Sequence, residues 1–189
     1  MPELVLASAS PRRSELLSQI GIVPDVIEAA DLEETANPGE MPRAHAARLA
    51  KEKAKFISAK YPNAWVLGAD TVVACGRRIL PKAENVDTAK DCLEILSGRR
   101  HRVYGGITVV RPNGRITTRM VETRVRFKRL ERIEIEAYLT SEEWRGKAGG
   151  YAIQGRAAAF VADLNGSYSN VVGLALFEAS ALLREHWSI

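Results

Sequence analysis

Cysteine is scarce in this chain: Cys75 and Cys92 are the only two among 189 residues. They are far apart and lack zinc-site spacing, which leaves a reducing, cytoplasmic setting as the expectation. Long apolar runs are missing as well. The longest, such as Ala157–Ala162, fall well short of the ~18–20 residues a membrane span needs. The stretch Met1-Pro2-Glu3-Leu4-Val5-Leu6 has no basic residue ahead of its apolar ones, so it does not read as a signal peptide. Histidine is confined to His45, His101 and His186, with neither metal spacing nor a Ser/His/Asp arrangement. There is no Walker loop and no Gly-x-Gly-x-x-Gly, which removes the two commonest phosphate cradles by motif. Linkers, repeats and low-complexity stretches are absent too. The length suits one domain, or one domain with two lobes around a cleft.

What is present is ordinary in bulk and uneven in detail. Apolar residues make up 46% and charged residues 26%, with a net charge of +4. A basic surplus fits a polyanionic ligand, nucleotide and nucleic acid alike. Leu4–Ala7 reads as a strand. Ser10 then caps a helix with Pro11 at its first position and Gly21 just past its end. A short strand fits Asp25–Glu28, and the Ala- and Lys-rich stretch Pro42–Lys60 reads as helix. Trp65–Leu67 is a buried-strand candidate ending in Gly68-Ala69-Asp70. Asp87 is placed as the cap of a helix that runs to Leu96. His101–Val110 and Arg115–Lys128 flank the turn Arg111-Pro112-Asn113-Gly114 and make a long hairpin with one wet face. Glu131–Leu139 reads as helix, Ala157–Leu164 as strand and Leu174–His186 as helix. Strands and helices alternate early, then a hairpin intervenes. The fold class is therefore α/β with a mixed sheet, not a doubly wound one.

Several residues break the local pattern. Ser8-Ala9-Ser10-Pro11-Arg12-Arg13 joins a strand to a helix N-terminus, where free N–H groups and the dipole favour an anion. Arg12 and Arg13 add donor forks suited to phosphate. Arg13 shares the apolar stripe of Leu16, Leu17 and Ile20, so it points either past the strand tip into a cleft or out to solvent; Arg12 fits a solvated face. Lys53 sits in the middle of the stripe Ala46, Leu49, Ala50, Phe56, Ile57. It either snorkels out or reaches a buried anion. Arg48, Lys51 and Lys55 lie opposite and read as a solvated face. Asp70, read as a strand-end carboxylate, suits a metal or a base as well as a turn. Glu33-Glu34 and Lys82 alone would be solvated loop. Lys147–Gly155 is Gly-rich and can approach a ligand closely. Cys92 shares a helix face with Ala89, Leu93 and Leu96, so it packs in the core.

Taken together and in order, these segments resemble the Maf family of nucleotide pyrophosphatases. The match runs through Leu6-Ala7-Ser8-Ala9-Ser10-Pro11-Arg12-Arg13, Asp31-Leu32-Glu33-Glu34-Thr35, Ala50-Lys51-Glu52-Lys53-Ala54, Gly68-Ala69-Asp70-Thr71, Lys82, Leu96-Ser97-Gly98, Lys147-Ala148-Gly149, Ile153-Gln154-Gly155 and Gly166-Ser167-Tyr168. It covers nearly the whole chain. It departs at Ala83 and Ala175, where the family often has proline. The resemblance implies an inosine-triphosphatase-like fold, an elongated mixed sheet with two lobes around a cleft. It implies a divalent cation, magnesium or manganese, and cleavage between the α and β phosphates. The Lys147–Gly155 loop is similar to that of the group acting on dTTP and UTP; the alternative is a different base, such as 7-methyl-GTP.

The resemblance also assigns roles. Asp70 is expected to hold metal and act as base, with Glu34 as the other metal-binding acid and Glu33 in reserve. Ser8, Arg12 and Arg13 grip the triphosphate, Lys53 and Lys82 stabilise developing charge, and Gln154 hydrogen-bonds the base. Homodimers are frequent in the family. A link to arrest of septum formation leaves a regulatory binding protein as the more distant alternative. No aromatic-rich basic strand or helix-turn-helix pattern supports specific nucleic-acid binding.

Overall fold

The computed structural model describes residues 2–186. In chain order its elements are β1 (Leu4–Ala7), α1 (Pro11–Gln19), β2 (Val26–Ile27), α2 (Pro42–Ser58), β3 (Trp65–Cys75), β4 (Arg78–Leu80), β5 (Lys82–Ala83), α3 (Val86–Leu96), β6 (Arg100–Val110), β7 (Ile116–Phe127), α4 (Arg132–Thr140), β8 (Lys147–Ala148), a 3₁₀ turn (Arg156–Phe160), β9 (Val161–Asn165), α5 (Tyr168–Val172) and α6 (Leu176–Leu183). The main sheet has seven strands in the order β2-β1-β3-β6-β7-β9, with β4 also on β3; β5 and β8 form a separate two-stranded ribbon. β1 is parallel to β2 and β3, whereas β3, β6, β7 and β9 pair antiparallel. This is the mixed α/β sheet that the sequence predicts. Among the described residues, no helix is long and apolar enough to cross a membrane.

Both faces of the sheet are covered. Strand alternation sends Leu4 and Leu6 into the larger core and Val5 and Ala7 into a smaller one beside Ala54 and Ile57 of α2. The same alternation in β3 puts Leu67, Ala69 and Val73 on the large-core face. Val66, Gly68 and Asp70 then fall on the face of α2.

Asp70 is not at a strand end, as the sequence reading had it. β3 continues to Cys75, and Asp70 is in register with Gly106 of β6. The opening is made by the neighbouring strand. β1 stops at Ala7, opposite Gly68, and β4 begins only opposite Val73. Between those points the β1-side edge of β3 is unpaired, and Asp70 and Thr71 occupy that gap. It is a crevice beyond the carboxyl end of β1, the usual place for a ligand in an α/β sheet.

Three other expectations shift. The cap of α3 is Asn85, whose Oδ1 accepts from Thr88 N at 2.8 Å; Asp87 lies in the first turn, where an acid complements the helix dipole. Residues 156–160 form a 3₁₀ turn before β9, since a run of alanines lacks the branched side chains that favour strands. The last helix starts at Leu176, and a separate short helix, α5, precedes it with Ser167 accepting from Asn170 N at 3.1 Å. The hairpin is as expected, with Val125 and Phe127 buried and Arg124 and Arg126 exposed.

α2 lies unusually close to the sheet. A Cβ on Gly68 would sit 2.6 Å from Ala50 O, and one on Gly106 would sit 2.3 Å from Ala46 O. Both obstacles are backbone atoms, so the helix itself would have to move. Gly68→Ala and Gly106→Ala are therefore expected to destabilise the fold by at least the ~1–3 kcal/mol typical of overpacking. They should also depress activity by lifting Lys53 from its partner. Denaturant midpoints equal to wild type would show that the helix has room.

Candidate active site

The gap beside β3 opens into a cavity of about 400 Å³. Its floor is the β1–α1 connection. Ser8 is buried, and its Oγ accepts from Ser10 N at 3.2 Å and from Arg13 Nη1 at 2.9 Å. Ser10 occupies the cap position of α1 but makes no side-chain capping bond. Arg13 is 8% exposed, so of the two readings left open for it the inward one holds. Its Nε donates to Gly173 O at 2.9 Å and its Nη2 to Thr71 Oγ1 at 3.3 Å. One guanidinium thus ties β1, β3 and the end of α5 around the opening. Burial pulls the Arg13 pKa below its ordinary value, while Asp70 and Glu34 oppose that shift. Arg12 is half-buried and lines the same cavity. Burial lowers its pKa too, and Arg13 adds to the effect.

Lys53 reaches a buried anion instead of snorkelling. Its Nζ lies 2.6 Å from Asp70 Oδ1 and 2.5 Å from Glu34 Oε1, with Lys53 6% and Asp70 4% exposed. The small face of α2 makes this possible, because the lysine stem descends where Ala46, Ala50 and Ala54 let the helix touch the sheet. Lys82, on β5, pairs with the other oxygen of Glu34. A chain of alternating charge results: Asp70, Lys53, Glu34, Lys82. Desolvation tends to raise the Glu34 pKa, but the two lysine hydrogen bonds outweigh it and hold the carboxyl at about 2. The two adjacent acids are placed differently: Glu34 lines the cavity, whereas Glu33 is exposed and accepts from Thr35 Oγ1 at 3.1 Å.

The far wall comes partly from the Gly-rich Lys147–Gly155 stretch, expected to approach a ligand, and partly from residues that carry no such expectation, Glu84 and Arg145. Arg145, Lys147, Glu84 and Tyr151 all line the cavity. Lys147 is placed there by β8, which pairs with β5 in register Ala83↔Lys147. Burial lowers the Lys147 pKa and Arg12 adds to it. Arg145 stacks over Trp144, 4.8 Å from the ring centroid, and pairs with Glu142 at 2.6 Å. Nothing in helical or strand periodicity marks Arg145; only the Gly-rich segment that follows it hints at the place. Tyr151 is fixed from behind by His101 at 2.8 Å, a histidine whose pKa burial pushes down to about 4.

Six cations (Arg12, Arg13, Lys53, Lys82, Arg145 and Lys147) therefore face three carboxylates (Glu34, Asp70 and Glu84) around one cavity. That excess suits a ligand carrying several negative charges. Of the residues expected at the site, Ser8, Arg12, Arg13, Glu34, Lys53, Asp70 and Lys82 are brought together. Glu33 and Gln154 are not among its lining residues; Gln154 is exposed, three positions beyond Tyr151. A second cavity of about 440 Å³ adjoins the first, sharing Glu34, Asp70, Thr71, Lys82 and Ala148 and walled otherwise mainly by apolar side chains.

Comparison with known proteins shows what the chain is similar to. The family model described as Maf-like protein matches residues 3–186. A protein of Rhodospirillum rubrum named dTTP/UTP pyrophosphatase is 64% identical over 180 residues, covering 95% of this chain and 86% of that one. A protein of Paramagnetospirillum magneticum with the same name is 61% identical over 183 residues, covering 97% and 96%. Among solved structures, a HAM1 protein from Coxiella burnetii aligns with a TM-score of 0.54 at 18% identity, covering 98% of this chain and 100% of that one, which is a likeness of fold.

Lys53→Met should unfold more easily than wild type, because it leaves Asp70 buried without its cation. Breaking such a pair typically costs about 3–5 kcal/mol. Lys53→Met/Asp70→Asn should regain much of that loss in a denaturant titration, and a double variant as weak as the single one would refute the pairing. Glu34 gives a pH signature. Its folded-state pKa is depressed from 4.5 to about 2, so its contribution is present above pH 4.5 and is lost as pH falls through 2. Stability measured from pH 6 down to 2 should fall less steeply in Glu34→Gln than in wild type.

Proposed function

The chain belongs to the Maf family, and on that premise we propose that it hydrolyses dTTP and UTP to the nucleoside monophosphate and pyrophosphate. The observation that carries the reading is the Asp70–Lys53–Glu34 bridge, its Asp70 and Lys53 buried, in a cavity lined by six cations. A pyrophosphatase needs that combination of a carboxylate to take a proton and cations to hold a polyanion. The relatives' shared name supplies the pyrimidine nucleotides.

A divalent cation fits the donor set. Among the described residues no group of three or more His, Cys, Asp and Glu is gathered. Magnesium is commonly held by one or two carboxylates, with phosphate oxygens and water completing its shell. Asp70 and Glu34 would hold it, and it would neutralise phosphate oxygens and acidify a bound water. The chain's own groups do the rest. Arg12, Arg13 and the Ser8 hydroxyl orient the triphosphate at the N-terminus of α1. Asp70 accepts the proton of the attacking water as its oxygen bonds to the α-phosphorus. The bond from that phosphorus to the bridging oxygen breaks, and pyrophosphate departs with the electron pair. Lys53 and Lys82 stabilise the charge that builds on the phosphoryl oxygens. Lys147 and Arg145 are in reach of the departing end. Gln154 contacts the base only if the nucleoside extends past Tyr151, which the exposed position of Gln154 permits.

Pyrophosphate release measured across nucleotides with magnesium tests the proposal. We expect dTTP and UTP to be turned over well ahead of purine triphosphates. Equal rates on all of them, or 7-methyl-GTP as the best substrate, would overturn the substrate assignment. Asp70→Asn should stay folded and lose at least the ~10²–10⁴ in rate that a general base provides. Turnover within a few-fold of wild type would remove Asp70 from the chemistry. Gln154→Ala should narrow the dTTP-to-GTP gap in kcat/KM by about 0.5–1.5 kcal/mol, the worth of one hydrogen bond. An unchanged ratio would leave base selection to other residues.

A further inference from the structure

Glu34 is carried by a segment with almost no structure of its own. Residues 28–41 contain neither helix nor strand. At its start Glu28 N donates to Leu6 O at 3.0 Å, and near its end Glu40 N donates to Asn37 O at 2.9 Å. Between them, among the described residues, no backbone–backbone hydrogen bond holds residues 29–36. Their backbone has one tie to another element. Arg48 of α2 donates from Nη2 to Thr35 O at 3.0 Å, one residue from Glu34.

Arg48 is itself locked in place. Its Nε donates to Glu40 Oε1 at 2.7 Å, its Nη2 to Glu40 Oε2 at 2.8 Å and its Nη1 to Glu52 Oε2 at 3.0 Å. Glu40 Oε2 also accepts from Asn37 N at 3.0 Å and lies 3.0 Å from His45 Nδ1. The Arg48 hydrogen bonds, foremost among several, hold the Glu40 carboxyl down at about 2.

We propose that Arg48, seated by Glu40, is a positioning residue of the active site, pinning the 28–41 segment so that Glu34 stays between Lys53 and Lys82. The proposal rests on the reading of Glu34 as a working carboxylate. The reason for a clamp lies in the substrate. Among the described residues, the Glu34 side chain is held through Lys53 and Lys82, the cations that turn to phosphate oxygens when a triphosphate enters. At that moment Glu34 loses those two partners, and the bond from Arg48 to Thr35 O, one residue away, remains. A planar fork that binds a carboxylate and a carbonyl together is a geometry lysine cannot reproduce.

The test compares Arg48→Ala, Arg48→Lys and Glu40→Gln with Lys51→Ala, an exposed position on the same helix. Two readouts are taken: dTTP hydrolysis, and cleavage of the native protein by glutamyl endopeptidase, which cuts after Glu33 and Glu34. We expect Arg48→Ala and Arg48→Lys to lose at least tenfold in kcat, Glu40→Gln to lose less, and Lys51→Ala to match wild type. Cleavage at Glu33 and Glu34 should speed up at least tenfold in Arg48→Ala at a temperature where its global unfolding is negligible. Added methylguanidinium should restore part of its activity and slow the cleavage. Unchanged kcat and cleavage in Arg48→Ala would overturn the proposal. So would an activity loss with no faster local cleavage and no rescue. A wild type that releases no pyrophosphate would overturn the functional reading alone, because the cleavage rates still decide the clamp.

Discussion

A lysine ammonium held between two carboxylates under a helix is the constraint on which the rest of this structure depends. Asp70 is buried in mid-strand, a place where a lone carboxylate would be costly. Lys53 offsets that cost only if α2 approaches the sheet closely enough for the ammonium to come within 2.6 Å. The approach in turn requires Gly68 and Gly106 under the helix and alanines on its inner face. Sheet topology completes the arrangement. Because β1 ends before Asp70 and β4 starts after it, the strand that carries the carboxylate is open on one edge there. The same packing that buries the charge therefore also exposes it to a ligand.

The two sides of the cavity are built differently. On the Asp70 side, anions and cations alternate, and each oxygen of Glu34 is matched to a lysine. On the side of α1 and β8, Arg12, Arg13 and Lys147 crowd one another, and burial lowers the pKa of each. Positive charge that nearby carboxylates offset only in part is costly to the empty protein in a partly desolvated pocket, and an anion relieves it. A polyphosphate laid across the cavity would meet the unbalanced cations with its charge and the balanced carboxylates with its reacting phosphorus.

Much of this was legible in the sequence because it broke local rules. Lys53 stood in an apolar stripe and Arg13 in another, and both point inward. The hairpin, α1 and α2 followed from periodicity and turn residues. What was missed depended on tertiary partners. Asp70 resembles a strand end because Gly68 and Ala69 read as punctuation, whereas Gly68 lets α2 come close and Ala69 packs into the larger core on the opposite face. Asn85 and Asp87 are both good caps by residue type, and only the fold selects Asn85. Arg48 was read as solvated surface. By helical periodicity it is, and its role depends on Glu40 and Thr35, which a loop brings to it. Arg145 carries no periodic signal, and only the Gly-rich segment after it hints at its place.

Hydrolysis of dTTP in ¹⁸O-labelled water, followed by mass spectrometry of both products, shows which phosphorus the water attacks. Attack at the α-phosphorus beside Asp70, with pyrophosphate leaving, should put one ¹⁸O in the nucleoside monophosphate and none in the pyrophosphate. Label in the pyrophosphate would mean attack at the β-phosphorus, and release of labelled orthophosphate would mean cleavage at the γ-phosphorus. Either result would contradict the assignment of the site.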